Sequence, residues 1–271
     1  INMKSLIQTA SSSEERLERI GFLRILNEEN TIIPCLLSVA PVLDHIIILW
    51  SDTEDRSIEL MEAWKRHIED NYECRMSFLH YPHHVVPPRS VDDLRILPRE
   101  NRIDTYLNFG MDFIRDLYAG KSFCVGKVDA DQIYFTQELE EAFQMARKPE
   151  DCVSIGGHNT LVFQKRLMIF GPRPRNGGSD SLICGMNNLP HFGVAAPYEV
   201  DIARHPCIKA YSRACWMHFR RKARYKNVIR EFREDEVIPL PQNPGLVNRF
   251  RTDILPLLQE AKSPYVDLSL D

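Results

Sequence analysis

Phe123-Cys124-Val125-Gly126-Lys127-Val128-Asp129-Ala130-Asp131-Gln132-Ile133-Tyr134 is the stretch whose reading decides the fold. An apolar run ends in two carboxylates at i and i+2, and apolar residues resume at once. If the run is a buried strand, Asp129 and Asp131 emerge where it leaves its sheet, and open α/β sheets bind ligands at such carboxyl ends. Crowded carboxylates repel, and taking them out of water without a counterion costs free energy. A divalent cation, Mg²⁺ or Mn²⁺, relieves both problems and usually shares its coordination with substrate phosphates. The same residues also fit a strand followed by a solvated acidic turn, because Asp is a favoured turn residue.

Upstream of this stretch the chain alternates strand and helix patterns. Residues 20–26 read as a strand broken by Asn27-Glu28-Glu29-Asn30, and residues 31–42 carry apolar side chains at helical spacing. Ile46-Ile47-Ile48-Leu49-Trp50 is a continuous apolar run of the kind buried parallel strands show. A polar turn, a helix over 57–68 and a short strand over 76–79 follow. This βαβ series predicts a mostly parallel sheet flanked by helices. Residues 80–100 are Pro-rich and read as a long loop, 103–118 as a helix and 122–128 as the strand that ends in Asp129. Beyond it, 137–146 is helical by pattern, while 152–155 and 161–170 suggest a smaller, antiparallel section. Ser179 or Asp180, after the Gly-rich loop 171–180, is placed to cap a helix over 181–187.

With 271 residues the chain has room for one large α/β domain or two small ones. Its net charge of −4 gives no reason to expect nucleic-acid binding. The seven cysteines show no C-x-x-C spacing, so neither a zinc knuckle nor a disulfide framework is indicated, and a reducing cytoplasm fits best. No apolar segment approaches the roughly 18 residues that span a bilayer. Residues 213–233 form a cationic stretch interleaved with aromatics, from Arg213 through Arg220, Arg221, Lys222 and Arg224 to Arg233. It reads either as a solvated helix face or as a patch meeting diphosphate or the anionic inner face of a membrane.

In this order the elements resemble a glycosyltransferase of the GT-A fold, closest in pattern to the family 2 enzymes, over roughly residues 20–225. The likeness rests on Leu26-Asn27-Glu28 after the first strand, Ser51-Asp52-Thr53-Glu54-Asp55 after the second, Asn108-Phe109-Gly110 in a helix, Asp129-Ala130-Asp131, and Asp180 before an expected short helix. It implies a Rossmann-like α/β domain divided into a lead-in (1–19), a nucleotide-sugar-binding half (20–131), an acceptor-binding and catalytic half (132–235) and a tail wrapping the surface (236–271). The implied activity is metal-dependent, inverting transfer of a sugar from a nucleotide sugar, most simply a UDP-sugar, to a saccharide or lipid-linked saccharide. Surface polysaccharide or lipopolysaccharide synthesis would use such a transfer.

The resemblance also implies roles for individual residues. Leu26, Asn27, Glu28, Ser51, Asp52, Asp55, Asn108, Asp129 and Ala130 would contact the nucleotide sugar. Where the family commonly has Asp-Asp in the second turn this chain has Ser51-Asp52, so the base-reading residue is one or the other. Asp131 is the direct ligand of Mn²⁺ or Mg²⁺, with Asp129 touching the ribose or the metal through water. A third ligand would be a histidine: His205 fits best, with His218 and His191 as rivals. Asp180 is the candidate general base. Two other classes stay open, a sugar-phosphate nucleotidyltransferase and a noncatalytic nucleotide- or glycan-binding module. The first normally carries a Gly-rich basic turn after its first strand, which Asn27-Glu28-Glu29 lacks.

Overall fold

Strand β1 (Glu18–Ile25) and β2 (His45–Trp50) are buried on both faces, which is why they lack polar alternation. Side chains along a strand point alternately to opposite faces. Ile20, Phe22, Ile47 and Leu49 therefore enter one apolar cluster while Leu23, Ile25, Ile46 and Ile48 enter another. Helix α1 (Ile32–Val39), every residue of which is buried, and α2 (Ser57–Tyr72) cover the second face. After β3 (Arg75–His80), helix α3 (Ile103–Leu117) covers the first. The chain then returns through β4 (Phe123–Asp129), β5 (Gln132–Tyr134) and α4 (Thr136–Met145). This computed structural model describes residues 16–86, 96–163, 166–176, 181–195, 198–203, 205, 207–219, 237–240 and 243–268.

The second half is built from strands: β6 (Cys152–Phe163), β7 (Arg166–Asn176), β8 (Leu182–Gly185), β9 (Phe192–Ala195), β10 (Tyr198–Asp201), β11 (Ile208–Phe219) and β12 (Val237–Pro239). One ten-stranded sheet runs β12-β7-β6-β8-β4-β1-β2-β3, with β11 branching from β6 and carrying β5, while β9 and β10 pair separately. The expected α/β class holds, but the sheet is mixed, not mostly parallel. β3, β2, β1 and β4 are parallel, as is β11 to β6. The ladders β4–β8, β8–β6, β6–β7, β7–β12 and β11–β5 are antiparallel. The βαβ pattern described only the first half of the chain.

Two local expectations are corrected. Residues 181–187 do not form a helix: Leu182-Ile183-Cys184-Gly185 is the buried strand β8 between β4 and β6, and a single 3₁₀ turn over Met186–Asn188 follows. The start of the cationic stretch is likewise strand, in β11. There Arg213 pairs with Glu138 and Glu141 of α4, and residues 220–236 lie outside the described residues.

The segment expected to wrap the surface also builds core. Helix α5 (Pro244–Arg249), a π-helical turn over Phe250–Ile254 and helix α6 (Leu255–Glu260) bury Leu246, Phe250, Ile254 and Leu258 against Ile133, Phe135, Met217 and Phe219. No helix among the described residues is long and apolar enough to cross a membrane.

Candidate functional site

Asp129 is the last residue of β4, at the carboxyl edge of the parallel strands. The turn Ala130-Asp131 leads into β5, whose pairing with β11 sets His218 opposite Gln132. The Phe219 N–H donates to the Asp131 carbonyl over 2.7 Å, so the main chain of Asp131 extends the ladder. His218 Nε2 then lies 2.8 Å from Asp131 Oδ2, with His218 Nδ1 3.2 Å from Asn159 Oδ1 on β6. Nonlocal strand pairing, not sequence proximity, assembles this pair.

The two aspartates sit in different electrostatic surroundings. Arg24 Nε donates to Asp129 Oδ1 over 2.9 Å, and Lys127 Nζ donates to Oδ2 over 3.1 Å. Burial alone would raise the Asp129 pKa, but Lys127 and Arg24 more than reverse it and hold the carboxyl well below the usual range. Both of its oxygens thus face cations already supplied by the protein. Beneath the turn, the Cys35 thiol contacts the Asp129 carbonyl at 3.6 Å. Burial first, then the charges of Asp131, Asp129 and Glu28, pushes that thiol well above its ordinary pKa. Glu28, from the turn after β1, thus acts on the same buried thiol as the two aspartates.

The chemistry of Asp131 and His218 suits a divalent cation. Both His218 contacts face oxygens, so the ring makes both as hydrogen bonds only if it carries protons on both nitrogens. A cation taken up between Nε2 and Oδ2 removes that requirement, leaving Nδ1–H to donate to Asn159, the usual way a ligating histidine is oriented. Oxygen and imidazole donors suit Mn²⁺, and carboxylate suits Mg²⁺. His205, the preferred third ligand from sequence, is not the histidine brought to Asp131. Its Nε2 lies 2.5 Å from Asp201 Oδ2, beside Cys152 and Cys184.

The turns after β1 and β2 are tied to each other. Asn27 adopts a left-handed backbone with φ of 58°, and its Oδ1 accepts from Glu54 N over 2.6 Å. Glu28 N donates to Ser57 Oγ and Glu29 N to Asp55 Oδ2. Asp55 also accepts from Ser57 N and Oγ, so it organises the start of α2. Ser51 and Ala130 are buried, Leu26 is half-buried, and Asp52 is exposed with Oδ2 3.1 Å from His84 Nδ1. Asn108 is committed elsewhere: its Nδ2 donates to the Phe192 carbonyl and its Oδ1 accepts from Phe192 N, clamping β9 to α3. Asp180 lies outside the described residues.

Along the outer face of α3 runs a cleft of about 860 Å³, lined by Tyr81, His83, Arg102, Phe109, His191 and Ile202 among others. Asp129, Asp131 and His218 do not line it. Sequence reasoning missed Arg24, Lys127 and Asn159 as partners of the site. The signal for Lys127 was a lysine inside an otherwise apolar strand, two residues from Asp129. Arg24 and Asn159 could be found only once the strand order was known. No protein-family model matches the chain, and no curated protein matches it.

Proposed function

We propose that the chain is a metal-dependent glycosyltransferase of the GT-A type, moving a sugar from a nucleotide sugar, most simply a UDP-sugar, to a saccharide or lipid-linked acceptor with inversion. The observation that carries this reading is the Asp131–His218 pair at the carboxyl edge of β4, beside parallel strands that end in the Asn27-Glu28 and Ser51-Asp52 turns. Asp131 and His218 would hold Mn²⁺ or Mg²⁺, which as a Lewis acid stabilises charge on a departing diphosphate. Arg24 and Lys127 keep Asp129 ionised at the strand end, where it can accept from ribose hydroxyls. Asp52 or Ser51 reads the base. Transfer needs a base for the acceptor hydroxyl's proton. Asp180 takes that role on the resemblance alone, since the helix it was expected to start is a strand. Contact with an acceptor-bearing membrane through the basic stretch 213–233 belongs to the same proposal.

The test is a thermal-shift panel of nucleotides and nucleotide sugars, with and without Mn²⁺. A ligand at a hundred times its Kd stabilises the fold by about 2.7 kcal/mol. One nucleotide sugar should raise Tm only when Mn²⁺ is present, and His218→Ala and Asp131→Asn should remove that dependence. Asp180→Asn should keep it while losing transfer. A panel in which no nucleotide sugar gives a Mn²⁺-dependent shift overturns the reading.

A further inference from the structure

Cys152 on β6 and Cys184 on β8 are directly paired across an antiparallel ladder, both buried, with their sulfurs 3.1 Å apart. His205, in the segment after β10, joins them: one donor atom from each of the three lies within 4.8 Å of the others. The side chains of His205 and Asp201 are 4% and 1% exposed. Asp201 is itself fixed, because its Oδ1 accepts from the main-chain N–H groups of His191 and Ala203 over 3.0 and 2.9 Å. With Nε2–H given to Asp201, the imidazole keeps its lone pair on Nδ1. That Nδ1 is buried and has no hydrogen-bond partner among the described residues.

A buried acceptor with no donor costs free energy that the fold must otherwise recover. Two thiols lie beside this imidazole, and a carboxylate orienting a histidine toward a cation is the common outer arrangement of zinc sites. We infer that Cys152, Cys184 and His205 form a zinc site, oriented by Asp201, with a fourth coordination position left to water or another donor. Without a cation, the neighbouring Cys152 and burial push the Cys184 thiol far above its ordinary pKa. A dication reverses that preference and deprotonates coordinating thiols. Zn–S bonds of about 2.3 Å put tetrahedral sulfurs about 3.8 Å apart, so the pair opens slightly on binding. A disulfide would instead require closure to about 2.05 Å and would leave Nδ1 unsatisfied.

The site would clip the β9–β10 hairpin, otherwise a separate two-stranded sheet, onto the main sheet at β6 and β8. His191, Phe192, Gly193 and Ile202 of that region line the cleft beside α3, so the clip would fix one wall of it. This inference is independent of the glycosyltransferase reading.

The test is metal analysis of the purified full chain, followed by Co²⁺ replacement. About one zinc per chain is expected, with Co²⁺ giving the intense near-ultraviolet thiolate charge-transfer band of a tetrahedral site. Cys184→Ser and His205→Ala should abolish zinc retention, and Asp201→Asn should weaken zinc affinity about 10- to 100-fold. Asp131→Asn should leave zinc content unchanged, which separates this site from the Asp131–His218 pair. If a cysteine variant does not fold, the wild-type protein still decides: zinc removal by a chelator should lower Tm, and re-addition should restore it. The inference is overturned by absence of zinc and of a Co²⁺–thiolate band, or by a Cys152–Cys184 disulfide in the peptide masses.

Discussion

Lys127 carries a charge on a side chain only 3% exposed, with the Asp129 carboxylate beside it as a counterion. Removing one partner of such a pair costs about 3–5 kcal/mol, because the other charge stays buried without its counterion. Asp129→Asn should therefore lower stability by about that amount in urea unfolding. Asp131→Asn weakens the contact to His218 and should cost nearer about 1 kcal/mol while removing the Mn²⁺ response. Equal losses for the two variants would contradict the division of roles. His45 gives a pH prediction. It is bonded to Tyr118 Oη and Ser77 Oγ, and burial, then Arg75, Lys121 and Lys65, lower its pKa from 6.5 to about 4. His158 is lowered likewise, by burial and Arg249. For both, the unfolded chain binds more protons between the two values. Their contribution is complete above about 6.5 and fades as pH falls toward about 4. Unfolding free energies measured from about pH 7 to about pH 5 should decline, and His45→Gln should flatten the decline.

Helix α3 owes its closeness to the sheet to Gly110. A Cβ there would lie 2.4 Å from the buried Phe22 ring and 3.1 Å from Leu49. Gly110→Ala should gain about 1 kcal/mol of helix propensity and lose about 1–3 kcal/mol to overpacking. A lower Tm is expected, and an unchanged or higher one would show that the helix can shift freely. Within Asn108-Phe109-Gly110, the glycine thus serves packing and Asn108 clamps Phe192. The first four strands and their helices were legible because apolar periodicity is local. β8 was not: Leu182-Ile183-Cys184 is covered on both sides by β4 and β6, and a short continuous apolar run has no period to distinguish strand from helix. Ser179 and Asp180 before it mimic a helix cap. β11 was hidden because its first half is exposed and carries the charges of Lys209 and Arg213. The carboxylate side of the candidate site was legible in Asp129-Ala130-Asp131. The histidine was legible only as one of three candidates, His205, His218 and His191, and it is the register of β5 on β11 that sets His218 beside Asp131.

At the scale of the molecule, the parallel and antiparallel halves share β4, which pairs with β1 on one side and β8 on the other. The helices after residue 243 cap the antiparallel half, and Arg249 reaches Glu138 of α4 over 2.6 Å while its guanidinium lies 3.6 Å from the centre of the Phe135 ring. Leu246, Phe250, Ile254 and Leu258 each contribute about 1.5–3 kcal/mol by burial, a sum comparable with the about 5–15 kcal/mol stability of a whole domain. A chain lacking residues 243–268 should lose cooperative unfolding and partition into the insoluble fraction. A soluble truncation with an unchanged melting transition would mean that this layer is dispensable.

The same segment closes a contact 233 positions long: Ser263 Oγ donates to the Asn30 carbonyl over 2.8 Å, in the turn between β1 and α1. During synthesis at about 5–20 residues per second, that carbonyl waits on the order of ten to fifty seconds for its hydroxyl. The turn that follows the first strand is among the earliest parts of the sheet to leave the ribosome, yet its final hydrogen bond has to await residue 263.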